Sequence, residues 1–600
     1  MLAATALREV LRTAQEPRCG GCQRQGAGHR LQLLAGLAVD VDAVRLGLDE
    51  GLATGGGRAE PVGLLLVHGR NLIRCSSEDA PIRVLIFHGY LLRGTGSNVY
   101  NANVAQALAR LGHDVHLFCQ DREAGSLAWV DRVGSWEGGQ LELSGADGPG
   151  SPGSGSITAY LPDIGGLLPV YVEDRYAGFR VKAFPALSEA ELQSYIEANV
   201  EAVREVDALI GGADAALANH LIIGPLVLAR AALRFAAKVH GSALSYTVKP
   251  HPRFLPLARE GLGAAEAVLV GSRHTAVALW ETVRDVTVER KTRLGPPGVD
   301  LEAFAPLPTG VEAAAVLRAL AERLEGEAEV VASGDSFDRD TSEAAAAIRA
   351  YAASGGPRVL FVGKLIVSKG CDLLLAAWPL VRAQIPDASL LIAGFGAYRG
   401  PLEDLWAAIC ACDLGAARRI AAQGRGLEGG EELPLRILSL FLVDPPEAWL
   451  RAAADAEGSV SFSGRLEHSE VAEVTRASEA MVVPSTFPEA FGMVAAEAAA
   501  AGALPVCADH SGLAEVAAEL DRALPASTQG LTAFPLGPAA VGAIAERLVA
   551  WLRLPATEQA ASGVALRRAV SRLWSWDGVA LGVISASAGE LDGLVAVPSD

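Results

Sequence analysis

The stretch VLIFHGYLLRGTGSNVYNANVAQALARLGHDVHLFC, residues 84–119, decides the fold. Its opening apolar run, 84–87, predicts a strand that is buried on both faces of a parallel sheet. A glycine loop follows at 94–96, and Ser97 is placed to cap the next helix. That helix buries a single apolar face, which comprises Tyr100, Val104, Leu108 and Leu111. Because another apolar run, 115–119, comes next, the stretch predicts one complete βαβ unit.

The same alternation of apolar runs and helical stretches continues along the chain. In the first half, a helical stretch at 189–206 is accompanied by strand-like runs at 208–210, 235–239 and 267–270. In the second half, the predicted strands are 359–362, 389–393, 459–462, 480–483 and 504–507. This pattern predicts an α/β protein with two doubly wound, Rossmann-like parallel-sheet domains. Ligands of such domains bind at the carboxyl ends of the strands, so we expect a cleft there between the two domains.

These patterns divide the 600 residues into four parts. They are a poorly ordered extension (1–80), an N-terminal domain (81–300), a C-terminal domain (301–575) and a closing helix with a tail (576–600). Two stretches of the C-terminal domain, about 307–357 and 400–457, are predicted to be helical insertions. Pro379 predicts a kink or an early break in the helix that follows the first strand of this domain.

Composition and charge exclude several classes of protein. The chain has 51 basic and 70 acidic residues, and the resulting net charge of −19 would repel nucleic acid and anionic lipid. No apolar run reaches the roughly 20 residues that cross a bilayer, and the N-terminus lacks the layout of a secretion signal. We therefore predict a cytoplasmic protein that has no nucleic-acid partner and, at most, peripheral contact with a membrane.

The cysteines predict reduced thiols rather than disulfides. Eight cysteines lie along the chain without a repeating spacing, and Cys19 and Cys22 form a CxxC pair. A closed zinc site needs four ligands, and only His29 and Cys75 lie nearby as loose candidates. We therefore predict no metal site.

Two lysines lie in the loop that follows the first strand of the second domain. The loop reads GKLIVSKG, residues 363–370, and places Lys364 and Lys369 five residues apart. Both ammonium groups can converge on one anion, and each charge-assisted bond to phosphate contributes about 1.5 to 3 kcal/mol. Taken alone, such a pair is more often part of a solvated loop.

Two glutamates accompany a predicted helix start in the stretch PSTFPEAFGMVAAE, residues 484–497. A helix that begins near 491–492 would direct its amide groups and its positive dipole end into the cleft, where they suit a phosphate. Eight residues from Glu489 to Glu497, at roughly 1.5 Å each, span about 12 Å, which is similar to the distance from a hexose across a diphosphate to a ribose. The carboxyl pair of a retaining glycosidase is closer, at about 5 to 5.5 Å. Two solvated glutamates on an alanine-rich helix are the alternative.

The order of these motifs resembles that of family 4 glycosyltransferases. The resemblance runs from about residue 83 to residue 585, and its motifs are Gly94-Thr95-Gly96, His240-Gly241, Gly298-Val299-Asp300, Gly464-Arg465-Leu466, the Glu-x7-Glu pair and Ser511-Gly512-Leu513-Ala514-Glu515. It implies a GT-B fold and a hexosyltransferase that uses a nucleoside-diphosphate sugar, retains the anomeric configuration and requires no metal or other cofactor. The run 567–580 resembles the closing helix of the family, which packs back toward the N-terminal domain.

The resemblance also implies a role for each motif residue. Lys364 and Lys369 match the basic pair that binds the diphosphate, where their charge would replace a metal ion. Glu489 matches the residue that bonds the hydroxyls of the donor sugar, and Glu497 matches the one that bonds the ribose. His240 matches a histidine that faces the donor sugar, so His240, Glu489, Lys364 and Lys369 form the predicted catalytic set. The predicted donor-binding set adds Gly94, Gly96, Gly363, Arg465, Phe491, Gly492, Met493, Val494 and Glu497.

Other classes of protein are open alternatives at this stage. A non-catalytic protein that binds sugar nucleotides would keep the same motifs. A dinucleotide-binding oxidoreductase would explain the loop at 94–96, but its fingerprint needs a third small residue where this chain has Val99. Asn219-His220 lies where many relatives carry a histidine-containing motif, but the chain between Gly211 and His220 departs from that motif, so the pair receives no firm role and is kept as a candidate lining residue. The sequence leaves open the donor base, the donor sugar and the acceptor, which is a sugar, a lipid or another small molecule.

Overall fold

The chain is described here from a computed structural model, which covers residues 65–68, 71–74, 81–145, 155–171, 176–327 and 339–599. It divides into two compact units, Met1–Glu78 and Asp79–Asp600. The described part of the first unit is an antiparallel pair of strands, β1 (Leu65–His68) and β2 (Asn71–Arg74). The zinc candidates and most of the predicted N-terminal extension lie outside the described residues.

The second unit contains the strands of two parallel sheets and of one small strand pair. In chain order they are β3 (Arg83–Phe87), β4 (Asp114–Phe118), β5 (Arg132–Glu137), β6 (Gln140–Gly145), β7 (Ile157–Leu161), β8 (Leu167–Val170), β9 (Arg180–Ala183), β10 (Ala215–Asn219), β11 (Ala236–Val239), β12 (Ala267–Val270), β13 (Thr292–Leu294), β14 (Arg358–Val362), β15 (Ser389–Ala393), β16 (Val460–Gly464), β17 (Ala480–Val483), β18 (Leu504–Ala508), β19 (Ala533–Phe534) and β20 (Val595–Ala596).

The helices of this unit alternate with the strands. They are α1 (Gly96–Arg110), α2 (Glu189–Leu209), α3 (Gly224–Arg230), α4 (Leu255–Ala264), α5 (Arg273–Val283), α6 (Val286–Arg290), α7 (Ala313–Gly326), α8 (Thr341–Ala353), α9 (Cys371–Arg382), α10 (Arg399–Cys410), α11 (Leu414–Gln423), α12 (Arg436–Val443), α13 (Glu447–Ala454), α14 (His468–Arg476), α15 (Met493–Ala500), α16 (Ser511–Ala523), α17 (Ala540–Leu552), α18 (Ala556–Leu573) and α19 (Trp576–Ser587).

The first sheet has the strand order β20-β13-β12-β11-β10-β3-β4-β7-β5-β6. All neighbours are parallel except at the two edges, where β20 and β6 run antiparallel to the strands beside them. The chain proceeds from β3 to one side of the sheet and later returns to the other side through β10. The order therefore reverses between β3 and β10, and open α/β sheets bind their ligands beyond such a switch point.

The second sheet has the order β16-β15-β14-β17-β18-β19, and all of its strands are parallel. Its switch point lies between β14 and β17. The loop 363–370 leaves β14 and the stretch 484–497 leaves β17. The topology thus places the lysine and glutamate motifs side by side at the carboxyl edge of this sheet.

The cores follow from the burial of the predicted apolar runs. Side chains of the first sheet pack in two clusters, one on each face, while the second sheet and its helices share a single cluster. The helix α19 packs on the domain that contains the first sheet. Its Trp576 contacts the ring of Tyr100 on α1, with ring centres 5.7 Å apart. Next to the predicted domain boundaries at 300 and 575, the Val299 amide donates to the Trp574 carbonyl at 2.9 Å.

One predicted strand is wrong. Residues 208–210 end the helix α2, and Leu209 is 57% exposed there, whereas the strand lies later, at Ala215–Asn219. That strand reads AALAN and has none of the β-branched residues that favour strands. It forms because it is buried on both faces and pairs with β3 and β11.

Two helix details also differ from the predictions. The helix α1 begins at Gly96 with Thr95 at its N-cap, so Ser97 lies in the first turn instead of capping it. The helix α9 does not break early at Pro379 but continues to Arg382, with Trp378 and Val381 fully buried in the core, so of the two predicted outcomes only a kink stays a prediction. The other predicted strands are confirmed, and helices occupy the described parts of both stretches predicted to be helical.

Candidate active site

The lysine loop is held against the end of the neighbouring strand by backbone contacts. The Gly363 amide donates to the Ala393 carbonyl at 3.1 Å, and the Leu365 amide donates to the Phe395 carbonyl at 2.6 Å. A Cβ atom on Gly394 would lie 1.9 Å from the Gly363 oxygen, and one on Gly396 would lie 2.3 Å from the Leu365 oxygen. The Gly-x-Gly after β15 is therefore required by close approach of the lysine loop.

The same loop is joined to the segment that follows β17. The Thr486 amide donates to the Ser368 carbonyl at 2.9 Å. Gly370 has a φ of +67°, and a Cβ atom there would lie 2.0 Å from the Pro484 oxygen. These contacts hold the two predicted motifs in one rigid arrangement at the switch point of the sheet.

Lys369 and Glu489 form an ion pair in this arrangement. The Nζ of Lys369 lies 2.5 Å from Oε1 of Glu489, and the Ser485 hydroxyl donates to the same oxygen at 2.6 Å. Both charged side chains are partly exposed, at 31% and 21%. Burial tends to raise the pKa of Glu489, but the charge of Lys369 and the hydrogen bonds from Lys369 and Ser485 outweigh it and lower the pKa. Glu489 is thus a carboxylate that has both a cation and a hydroxyl as partners.

A serine and a glycine of the 511–515 motif fix the backbone of Glu489. The Ser511 hydroxyl accepts from the Glu489 amide at 2.9 Å, and the Gly512 amide donates to the Glu489 carbonyl at 3.0 Å. A Cβ atom on Gly512 would lie 2.6 Å from the Ala490 oxygen. This contact explains the Ser-Gly pair at the start of α16.

The helix α15 begins directly after this segment. Gly492 is its N-cap with a φ of +113°, and its first turn has no acidic residue and no capping side chain among the described residues. Phe491 packs edge-on against Trp574 with ring centres 5.2 Å apart. Met493 and Val494 are both half-buried. The start of α15 is therefore a helix N-terminus of the kind that suits an anion.

The glycine loop of the first domain lies opposite this helix start. Gly94 has a φ of +90°, and a Cβ atom on Gly96 would lie 3.8 Å from the Sδ of Met493. Gly241 also approaches the second domain, because its Cβ atom would lie 3.4 Å from that of Ala490. Elements of both sheets therefore meet around the residues that follow Glu489.

His240 follows the end of β11 and is half-buried. Its Nε2 lies 3.1 Å from Oδ1 of Asn219, whose amide nitrogen donates to the Phe87 carbonyl at 3.3 Å. Asn219 Oδ1 is therefore the acceptor, so Nε2 carries the hydrogen and Nδ1 is an acceptor. Burial and the nearby His220 and Lys238 hold the pKa of His240 well below its usual value, which keeps the ring neutral.

Arg465 and Glu497 have partners of their own. Arg465 donates to Glu467 at 2.8 Å, while Glu497 is 4% exposed and its Oε1 lies 3.0 Å from the Nε2 of His468. Burial tends to lower the pKa of His468, but Glu497 outweighs it and raises the pKa. Lys364 lies on the same loop as Lys369.

Sequence analysis assigned His220 no firm role, and the structure places it directly after the strand that ends at Asn219. Its φ is +69°, it is 3% exposed, and neither ring nitrogen has a hydrogen-bond partner among the described residues. Its ring contacts those of His88, Tyr90, Tyr171 and His240 at centre distances of 4.9–5.6 Å. Because the strand was predicted seven residues too early, His220 could not be placed at the switch point of the first sheet.

Metal-binding clusters and membrane-spanning helices are both absent from the described residues. No group of three or more histidine, cysteine or acidic side chains there is arranged to hold a metal ion. No helix there is long and apolar enough to cross a membrane.

Comparison with known proteins gives a family match in the second domain. Residues 446–562 match the family model for glycosyl transferases, group 1. A GDP-mannose-dependent alpha-(1-6)-phosphatidylinositol monomannoside mannosyltransferase of Mycolicibacterium smegmatis is 27% identical over 309 residues, which cover 50% of this chain and 67% of that protein. A glycogen synthase of Mycobacterium tuberculosis is 28% identical over 227 residues, which cover 38% of this chain and 41% of the synthase.

A solved structure has a similar fold. The catalytic domain of starch synthase IV from Arabidopsis thaliana, bound to ADP and acarbose, superposes with a TM-score of 0.50 and 13% identity over 86% of this chain and 100% of that domain. The chain has the GT-B fold. Together with the family match, this fold supports a glycosyltransferase enzyme that uses a nucleotide-sugar donor, and it favours that function over an oxidoreductase.

Proposed function

We propose that this glycosyltransferase moves a hexosyl unit from a nucleoside-diphosphate sugar to a sugar, lipid or other small-molecule acceptor, with retention of the anomeric configuration. In this proposal the domain over 301–575 binds the donor and the domain over 81–300 binds the acceptor. The mechanism requires no metal, because lysines and helix amides stabilise the leaving group. The family 4 glycosyltransferases, which the motif order resembles, are the proposed family.

The observation that carries this proposal is the Lys369–Glu489 ion pair at the switch point between β14 and β17. The pair sets a cation and a carboxylate 2.5 Å apart next to the start of α15. A diphosphate needs the cation and the helix amides, whereas a sugar needs a carboxylate that accepts from its hydroxyls. A bound donor would contact both side chains, so its diphosphate and its sugar would replace the contact that Lys369 and Glu489 make with each other.

The proposed reaction follows from the placement of these charges. The acceptor oxygen bonds to the anomeric carbon while the bond from that carbon to the phosphate oxygen breaks, and the acceptor proton passes to the departing phosphate on the same face. Negative charge grows on the phosphate oxygens, and Lys364, Lys369 and the α15 amides stabilise it. Glu489 and the neutral ring of His240 would orient the sugar, and Glu497 would bind the ribose.

A binding measurement tests the donor site without knowledge of the acceptor. The wild-type protein is titrated with UDP, GDP and ADP in a calorimeter, and GDP-mannose is the first donor to try, because a relative is named as GDP-mannose-dependent. We expect one diphosphate to bind, and we expect Lys364→Ala and Lys369→Ala each to weaken it at least roughly tenfold, since a charge-assisted bond contributes about 1.5 to 3 kcal/mol.

The matched control is Lys182→Ala, which removes a lysine from an ion pair with Glu191 in the first domain. We expect it to leave the affinity unchanged. No diphosphate binding by the wild-type protein, or wild-type affinity in both Lys364→Ala and Lys369→Ala, would refute the donor site. Binding of an intact sugar nucleotide without transfer to any acceptor and without slow hydrolysis would instead indicate a non-catalytic protein.

A further inference from the structure

The helical segment between β15 and β16 reaches the lysine loop. A turn, Arg425–Glu428, connects α11 to the chain that leads to α12. The carboxylate of Glu428 accepts from the backbone amide of Val367 at 2.8 Å, across 61 positions of the chain. Val367 lies between Lys364 and Lys369, so the contact is made within the segment that separates the two lysines.

The backbone of this turn is fixed by glycines on both sides. Gly424 has a φ of +48°, and a Cβ atom there would lie 1.8 Å from the Leu433 oxygen. The Arg425 amide donates to that same oxygen at 3.3 Å, and Gly429 has a φ of +83°. The backbone of the turn is therefore constrained, and this constraint orients the side chain of Glu428.

The Glu428 carboxylate is well removed from water, with 13% of its side chain exposed. A buried carboxylate needs hydrogen-bond or charge partners. Those of Glu428 include the Val367 amide and the Nε of Arg425, which lies 3.4 Å from its other oxygen. Arg425 is 52% exposed, so its charge offsets that of Glu428 on the open side of the turn.

An aromatic contact joins the first domain to the segment that follows β17. Tyr246, which belongs to the first domain, stacks on Phe487 with ring centres 5.3 Å apart and an angle of 14° between the rings. Burial raises the pKa of Tyr246, a hydrogen bond with Ser368 opposes this rise, and weaker electrostatic effects come from Glu489, Arg425 and Glu428. The Thr486 amide beside Phe487 donates to the Ser368 carbonyl of the lysine loop, which Glu428 also contacts, so the turn and the segment after β17 meet the same loop.

We propose that the turn Arg425–Glu428 is part of the donor site, in which Glu428 is a positioning residue that holds the lysine loop in its diphosphate-binding shape. This inference rests on the proposed function. Two ammonium groups bind one diphosphate well only when the loop between them is ordered before binding, because ordering on binding costs affinity. The Glu428–Val367 bond restrains the middle of that loop, and Arg425 limits the repulsion between Glu428 and the phosphates.

Three variants of the full chain test the positioning role by calorimetry with the diphosphate that the wild-type protein binds. We expect Glu428→Ala to weaken that affinity roughly five- to tenfold, which is less than the full contribution of one hydrogen bond that involves a charged group, because the bond acts on the loop and not on the diphosphate itself. Glu428→Gln keeps an oxygen that can accept from the Val367 amide, so we expect it to stay within roughly threefold of the wild type. Glu431→Ala removes an exposed glutamate of the same segment and should change nothing.

Measuring Lys369→Ala in parallel separates this inference from the proposed function. If Lys369→Ala binds as tightly as the wild type, the donor site itself is refuted. If Lys369→Ala is weakened while Glu428→Ala is not, or if Glu428→Gln loses as much affinity as Glu428→Ala, the positioning role is overturned and the donor site stands. Should Glu428→Ala fail to fold, Glu428→Asp replaces it, since the shorter side chain withdraws the carboxylate from Val367. Wild-type affinity in Glu428→Asp would then overturn the role.

Discussion

Single residues of the site are defined by contacts across the chain rather than by their neighbours in sequence. Glu489 bonds Lys369 and Ser485 through its carboxylate, and it bonds Ser511 and Gly512 through its backbone. The two glutamates predicted as a pair differ in their surroundings, because the side chain of Glu489 is 21% exposed whereas that of Glu497 is 6% exposed. Glu489 is the more exposed of the two.

We predict that Glu489→Ala lowers kcat/KM for the donor by at least roughly a hundredfold, while the unfolding midpoint changes little, because partly exposed ion pairs contribute about 0 to 1 kcal/mol. The lowered pKa of Glu489 means that this contribution is present above the unfolded pKa of about 4.3 and is lost as the pH falls through the folded value. Steady-state kinetics and denaturant unfolding of the variant check both points. Normal turnover would contradict the role.

Lys238 on β11 provides a prediction about pH. It is 2% exposed, its Nζ donates to the Gly295 carbonyl, and it lies 5.1 Å from the ring centre of Tyr100. Burial lowers its pKa to about 7. The unfolded chain, with a lysine pKa of about 10.4, binds more protons than the folded chain between these values, so the free energy of unfolding rises with pH across that window.

Lys238→Met should therefore be more stable than the wild type below pH 7, and its stability should depend less on pH. Urea unfolding at several pH values between about 6 and 10 measures this dependence. Lys249→Met, at an exposed lysine of the same domain, is the control and should keep the wild-type slope. An unchanged slope in Lys238→Met would show that this lysine is charged in the folded protein.

At the scale of elements, strand ends and helix starts build the site. The loop after β14, the segment after β17 and the start of α15 meet because β14 and β17 are neighbours in the sheet. The predicted order of strands and helices was enough to propose this, since parallel strands present their carboxyl ends at one edge. The position of β10 was not predictable in the same way, because its AALAN sequence carries little strand signal and its burial is what stabilises it.

Gly492→Ala tests the start of α15. Alanine at a φ of +113° is strained, and its Cβ would lie 2.6 Å from Cδ1 of Leu513, so we expect a loss of more than about 1 kcal/mol in stability. We also expect weaker diphosphate binding, because the helix amides would shift. Gly542→Ala is the matched control, since that glycine lies within α17 with open space at its Cβ position. It should stabilise the protein by about 0.4 to 1 kcal/mol. Equal unfolding midpoints in the two variants would refute the expected strain.

At the scale of the whole molecule, residues Asp79–Asp600 form one compact unit around two sheets. Contacts between the sheets occur where Gly241 approaches Ala490 and where Tyr246 stacks on Phe487. In the closing helix α19, Trp576 packs against the ring of Tyr100. These contacts join segments that are hundreds of residues apart, so none of them has a local signal in the sequence.

The sequence by itself determined the α/β class, the two parallel sheets and the two motifs at the second switch point. It could do so because buried strands, glycine loops and helix starts have short-range patterns that are set by local sterics and hydrophobicity. Only the tertiary structure decided that Lys369 pairs with Glu489, that Glu497 is buried beside His468, and that Glu428 reaches the lysine loop. Such pairings depend on which distant segments pack together, and that choice is made by the burial and hydrogen bonding of the whole chain.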